Sequence, residues 1–489
     1  MANSACFGIH LGNTNGCIAL SKDKVDVIAN EAGDFVTPAV LTLLGDGSHV
    51  VGLPAKQQRC RNVKASAINV LQSVSCDASN EEDFDRVNQK CGGNLSRDGD
   101  ELVYNLERDE ESKTFTPQAV VEEILKYIHS IADHSVRIEE KTYPVVMSVP
   151  TFLGEKSRQV LCEAAQKVGF HVLQVITNPA SACLAYDVLQ DTEPCNILVY
   201  RMGNVSTEAT ILRAEDGFLT IKHTVHDENL GGKKFTDLMV EYIAKEFYQK
   251  YKLDPNESKK TMAKLFQHAE NTKHILSNMQ TAHIFVESLM DGVDFSHNIS
   301  RARYENLFAS IVPLYKKPLE QLLAEANFNI ADIHKIILCG GGMKIPKLKT
   351  EITSMFPNAK LLTGLNEDEV LALGCVKQAS IISKQWNHDL DVMDMELNFL
   401  PCDIVLQQNG SDTQIEAFKA RTLIPAYTKF TSAIDTKKNK NVVFDIFEKK
   451  SDELTKIGQI EVNDVAEDAK EAEFSVKIDS NGVAIVVAQ

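Results

Sequence analysis

Positive charge is scarce in this chain. Its 489 residues carry 51 Lys and Arg against 68 Asp and Glu, a net charge of −17. That balance argues against nucleic-acid binding through a broad basic surface. Long apolar runs are missing too. No stretch approaches the ~18 residues that span a bilayer as a helix, so no membrane partner is expected. The first residues, Met1-Ala2-Asn3-Ser4-Ala5-Cys6, have no basic region followed by an apolar one, and no secretory leader is read there. The 11 cysteines form no CxxC pair and no metal-ligand spacing. They read as reduced thiols packed as small hydrophobes in a cytosolic protein.

What is present is 44% hydrophobic and 24% charged, ordinary for a folded chain. The length suggests roughly two to four domains or lobes. Up to about residue 385, short β-rich runs alternate with long amphipathic patterns, an α/β signature. Cys6 to Leu20 reads as two strands around a Gly loop. Thr116 and Pro117 read as N-cap and first residue of a helix ending at His134. Its apolar stripe is Val120, Val121, Ile124, Leu125, Ile128 and Ile131. Tyr143 to Val149, Ile197 to Tyr200 and Lys335 to Cys339 read as strands. Glu155 to Val168, Lys234 to Tyr251, Glu257 to Ser277 and Arg301 to Ala326 read as helices.

After Trp386 the texture changes to short alternating segments without a convincing helix. Phe474–Ile478 and Val483–Val487 flank Asp479-Ser480-Asn481-Gly482, a hairpin signal. The acidic stretch from Asn463 to Glu473 reads as a solvated loop. The expected division is residues 1–386, then a small all-β domain over 392–489.

Three Gly loops follow apolar strands: Gly8-Ile9-His10-Leu11-Gly12-Asn13-Thr14-Asn15-Gly16, Met202-Gly203-Asn204-Val205-Ser206, and Gly340-Gly341-Gly342-Met343-Lys344-Ile345-Pro346. Each alone is weak evidence. Glycine permits dihedrals that turn successive N–H groups toward a phosphate, and it allows close approach. The first two open successive halves of the chain, which hints at an internal duplication.

With these loops, Thr37-Pro38-Ala39, Ser148-Val149-Pro150, Asn178-Pro179-Ala180-Ser181-Ala182, Asn229-Leu230-Gly231-Gly232 and Ser300-Arg301-Ala302-Arg303-Tyr304-Glu305, the chain resembles the 70-kilodalton heat-shock (DnaK-type) chaperones, a stress-response family. The resemblance runs from residue 6 to about 385. It implies an α/β, actin-like, two-lobed nucleotide-binding domain, followed by a small all-β sandwich domain without the family's helical lid. On the adenosine side, Glu270, Lys273 and Ser277 share a helical face and match family positions, as do Gly340, Gly341 and Asp368. His274 stands where the family has a base-stacking arginine. Gly12, Asn13, Thr14, Asn15, Gly203, Gly231, Gly232, Gly342 and Lys344 complete the implied nucleotide-binding set. Taken alone, Glu270 and Lys273 read as a surface ion pair.

The phosphate side departs from the family. His10 and Arg201 replace aspartates, and Leu71 replaces the catalytic lysine, with Lys64 out of register. Asn178 replaces a glutamate, and Glu208 an aspartate. Asn204 and Val205 replace glycines, so the loop is expected to stand further from phosphate. Mg²⁺ prefers oxygen ligands, so its binding is doubtful here, and bound ATP is not expected to be hydrolysed. Two readings of Arg201 stand: a solvent-facing or ion-paired arginine, or a guanidinium that takes the metal's place.

The segment Asp389 to Glu396 lacks the leucine run of the family's linker. The overall pattern resembles the atypical lidless members that pair with a zuotin-type J-domain protein in the ribosome-associated complex, and its animal form in particular. That resemblance implies a co-chaperone that supports its partner on nascent polypeptide and reaches the ribosome indirectly, with no direct nucleic-acid contact. The other reading is an ATP-driven foldase that binds hydrophobic peptides. His10, Leu71, Asn178 and Arg201 speak against it.

Overall fold

Strand Cys6–Leu11 is apolar on both faces except at His10, and all six residues are buried, as in the centre of a sheet covered on both sides. It pairs antiparallel with Asn15–Ser21 and parallel with Tyr143–Val149. The sheet runs Val25–Val27, Asn15–Ser21, Cys6–Leu11, Tyr143–Val149, Phe170–Thr177. A second sheet runs Phe218–Asp227, Thr207–Glu215, Cys195–Met202, Lys335–Cys339, Lys360–Leu361. The strand order is the same in both, and Cys195–Met202 is parallel to Lys335–Cys339 as Cys6–Leu11 is to Tyr143–Val149. This is the duplication hinted at by the Gly loops, and with the helices around the sheets it makes the two-lobed actin-like fold.

This computed structural model describes residues 5–22, 24–59, 62–99, 101–136, 143–190, 193–215 and 218–386. Beyond these it describes 402–408, 414–418, 422, 426–433, 442–450, 453–462, 471–478 and 484–488. The chain separates into two compact units. The larger comprises residues 1–191, 195–212 and 221–388, and the smaller 389–489 with 192–194 and 213–220.

Helix Pro117–Ser135 forms as its pattern requires. Thr116 Oγ1 accepts from the Ala119 N–H at 3.1 Å, and the apolar stripe is buried. Helix Lys259–Asn278 starts two residues later than expected, because Ser258 caps it by accepting from the Thr261 N–H at 3.2 Å. The stretch from Arg301 is two helices, Arg301–Phe308 and Val312–Ala326. Pro313, which suits a first turn and not an interior, starts the second.

In the smaller unit every described element is a strand. Gln414–Phe418, Asp403–Gln408, Val442–Lys450 and Glu453–Val462 form one antiparallel sheet. Ala426–Ala433, Glu471–Ile478 and Ala484–Ala488 form another. The last two strands pair as the hairpin reading requires, with Ile478 opposite Ala484. Their turn, the segment Asp389 to Glu396 and residues 463–470 lie outside the described residues. Glu471 to Glu473, read as loop, belong to a strand, paired with Thr431–Ala433.

Helix Val370–Trp386 crosses the first sheet at Gly8, where a Cβ would collide with the Val376 nitrogen and the Ala372 oxygen. At Gly374 a Cβ would collide with the Ser181 carbonyl. Gly8→Ala or Gly374→Ala should therefore cost about 1–3 kcal/mol or more by overpacking, read as a lower urea midpoint. Gly154→Ala, with open space around it, should cost far less.

Candidate functional site

The parallel registers set His10 opposite Ser148 and Arg201 opposite Cys339. The two residues thus hold equivalent positions in the two sheets, each two residues before a loop glycine. The loops close alike: the Gly12 N–H donates to Asn15 O at 2.8 Å and the Gly203 N–H to Ser206 O at 2.9 Å. Asn13 Oδ1 accepts from the Gln72 N–H at 3.0 Å and docks helix Val70–Val74 on the first loop. The Thr14 carbonyl accepts from the Ala39 N–H at 2.8 Å, and Asn15 is exposed.

Nδ1 of His10 lies 3.0 Å from Ser148 Oγ. Burial, and then the Arg201 guanidinium, lower the His10 pKa to about 3, so the ring is neutral. Arg201 is only 7% exposed, its Nε is shut off from solvent without a partner, and it makes no ion pair among the described residues. The more ordinary reading of Arg201, solvent-facing or ion-paired, is thereby corrected. Its side chain reaches the two Gly loops instead. Its Nη2 would lie 3.9 Å from a Cβ on Gly12 and 3.6 Å from one on Gly203, so the charge sits between the two loops.

Asn178 is buried, with neither amide atom hydrogen-bonded. Glu208 is buried as well. Its Oε1 accepts from the Thr151 N–H at 3.0 Å and from the Thr151 hydroxyl, while Oε2 has no partner. Leu71 is buried and lines a cavity of about 160 Å³ with Asn13, Pro150, Phe152, Ser206 and His226. Lys64 is exposed beside Glu107 at 3.5 Å, away from Leu71's cavity.

The adenosine-side residues come together through the second loop. A Cβ on Gly340, whose φ is +86°, would collide with Met202 O, and one on Gly231 with Asn204 O. The Gly232 N–H donates to Gly203 O at 2.9 Å. Lys273 is buried, donating to Thr236 Oγ1 at 2.8 Å and Gly232 O at 3.4 Å, and burial lowers its pKa. Ser277 Oγ donates to Lys273 O at 3.0 Å, and His274 is exposed on the same helix.

The expected Glu270–Lys273 surface pair is not formed. Lys273 turns inward, and Glu270 reaches Lys56 of helix Leu53–Arg59 at 2.8 Å. Burial opposes ionisation of Glu270, but Lys56 and Lys273 outweigh it and hold the carboxyl at about 2. A Cβ on Gly341 would come within 2.8 Å of Asp368 Oδ1, and one on Gly342 would strike the Met202 side chain. Lys344 pairs with Asp368 at 2.5 Å.

Several residues had no visible signal in the sequence. Thr151 holds Glu208, and Lys56 meets Glu270, while Ser148, part of a motif read in the sequence, holds His10. Arg86 and Lys90 pair with Glu228, Lys90 donating to Glu228 O at 3.1 Å. His226 stacks on Phe152 with ring centroids 3.6 Å apart. These partners are far apart in sequence, 138 residues for Lys90 and Glu228, and only the fold joins them.

The family's Mg²⁺ does not fit this donor set. A neutral imidazole and a guanidinium stand at the two loop positions, and one buried carboxylate remains with half its oxygens engaged. A dication 4 Å from Arg201 would meet repulsion of about 8 kcal/mol at an effective dielectric of 20.

The buried histidines give the fold an acid sensitivity. His226 is lowered to about 4, by burial and then Arg201. His10 and His226 stay neutral in the fold while the unfolded chain takes up their protons below pH 6.5. Stability should therefore fall as the pH drops from 6.5 toward 4, each histidine contributing at most roughly 2 kcal/mol of loss by pH 5. Urea midpoints at pH 7 and pH 5 check this, and His226→Phe should shrink the difference.

The Hsp70 protein family profile matches residues 6–489. Heat shock 70 kDa protein 14 of Mus musculus is 35% identical over 434 residues, 87% of this chain and 84% of that protein. Its counterpart in Homo sapiens is 37% identical over 384 residues, 77% and 74% of the two chains. That of Danio rerio is 33% identical over 440 residues, 87% and 85%. The duplicated sheets, the Gly loops and these matches agree: the chain belongs to the Hsp70 family of chaperones.

Proposed function

We propose that this chain is a non-hydrolysing chaperone subunit that holds nucleotide and supports a zuotin-type J-domain protein. The two would work in a ribosome-associated complex in the cytosol, assisting nascent polypeptide. The observation that carries the non-hydrolysing part is the phosphate end of the cleft. Leu71 fills the place of the positioning lysine, and His10 and Arg201 stand where carboxylates would orient metal and water. Losing one positioned catalytic group typically costs ~10²–10⁴-fold, and here several are replaced together.

The adenosine side supports retention of nucleotide. Gly340, Gly341, Asp368, Glu270, Lys273 and Ser277 match the family's types on that side, and Lys344 pairs with Asp368. The partner assignment rests on likeness to the protein 14 relatives and on the atypical cleft. With a net charge of −17, contact with ribosomal RNA would be supplied by a basic partner.

A single-turnover assay with labelled ATP tests this. Bound label without phosphate release is the expected outcome. Release at a rate typical of the family, abolished by Asp368→Ala, would restore the foldase reading. Co-purification with the zuotin-type J-domain protein, unaffected by Leu71→Lys, is expected of a subunit whose pairing does not need turnover.

A further inference from the structure

We propose that the cleft takes the phosphate chain of its nucleotide without a metal ion, the guanidinium of Arg201 standing where a divalent cation would bridge the phosphates. This rests on the reading of the cleft as a nucleotide site.

Three observations converge on it. First, the two symmetry-related positions of the cleft floor, His10 and Arg201, both carry nitrogen bases. The duplicated strands present these two equivalent positions beside the loops, and neither side chain offers an oxygen. Among the described residues no group of three or more His, Cys, Asp or Glu is placed to hold a metal.

Second, Arg201 is a buried cation without an ion pair among the described residues, and its Nε is sealed off. A buried charge is normally neutralised, and leaving one unpaired is strongly destabilising. The terminal nitrogens stand between Gly12 and Gly203, beside the neutral His10 ring, whose Nε2 would lie 3.4 Å from a Cβ on Gly12. A planar guanidinium matches the paired oxygens of a phosphate, and a phosphate there would supply the missing anion.

Third, the amide of Asn178 is buried with both atoms unsatisfied. Such groups rarely go without partners in a folded protein. An amide nitrogen donates to phosphate oxygen as readily as it binds a metal-held water. Glu208 is an opposing charge, and Thr151 engages one of its oxygens twice.

The test is calorimetric titration of the purified chain with ATP and, separately, adenosine, in EDTA or in excess Mg²⁺. ATP should bind at least as tightly in EDTA as in Mg²⁺. Arg201→Met should weaken ATP in EDTA by roughly 10- to 100-fold, the size expected for lost hydrogen bonds to a charged group. It should leave adenosine binding unchanged and should not lower the melting temperature without nucleotide, since a buried unpaired charge is removed. The double variant His10→Asp with Arg201→Asp should bind ATP only with Mg²⁺.

ATP binding 10-fold or more tighter in Mg²⁺ than in EDTA would overturn the inference while leaving the nucleotide site standing. So would unchanged ATP affinity in Arg201→Met. Failure of ATP and adenosine alike, in both buffers, would overturn the nucleotide reading itself and this inference with it.

Discussion

Backbone passes backbone in this protein at distances that only glycine permits, and the cleft depends on it. Gly8 lets helix Val370–Trp386 lie directly on the central strand of the first sheet. Gly231 presses against the Asn204 carbonyl, and Gly340 against that of Met202. These contacts fix three loops around one space without any side chain intervening. A Cβ at any of them would push the loops apart by more than a packed interior absorbs. The shape of the cleft is therefore written in residues without side chains, and it would survive the loss of hydrolysis proposed above.

Ion pairs across the cleft add a second constraint. Lys56 meets Glu270 at 2.8 Å, and Arg86 with Lys90 meets Glu228. Lys56, Glu270 and Lys90 are largely sheltered, so screening weakens them less than the exposed Lys64–Glu107 pair. Among the described residues, Arg201 at the phosphate end has no comparable pairing. The polar groups there, Arg201 Nε, Asn178 and Glu208 Oε2, end without partners in a fold whose other buried polar groups are largely satisfied. Arg201 and Glu208 lie on adjacent strands of the second sheet, where the pairing is in regular register, so their open polar atoms are a feature of the site and not of poor packing.

The amino-acid pattern made the scaffold legible and left the site half hidden. Helix Pro117–Ser135 could be read because its cap, first-turn proline and apolar stripe all act locally. The break at Val312 was missed because Pro313 inside a long amphipathic stretch looks like an interruption of one helix as much as the start of another. Lys273 could not be told from a surface lysine. Its partner Thr236 lies on another helix, and spacing alone paired it with Glu270. Arg201 was ambiguous for the same reason. Whether a strand residue faces solvent or a cleft depends on which strand lies beside it, and the neighbour, Lys335–Cys339, is more than a hundred residues away.

A cleft that keeps its shape and loses its acids is suited to holding more than to cycling. A nucleotide drives a conformational cycle only through the difference in its affinity for two states, and hydrolysis supplies that difference by changing the ligand. With hydrolysis gone, as proposed, the ligand can act only by mass action. It then stabilises the form it binds by an amount that grows with its concentration over its dissociation constant. In the metal-free reading, the open nitrogen of Arg201 is one group that such a ligand would stabilise. Nucleotide in such a subunit becomes part of the folded structure, closing the charge and hydrogen bonds that the chain leaves open. A partner of the kind proposed would then meet one fixed surface.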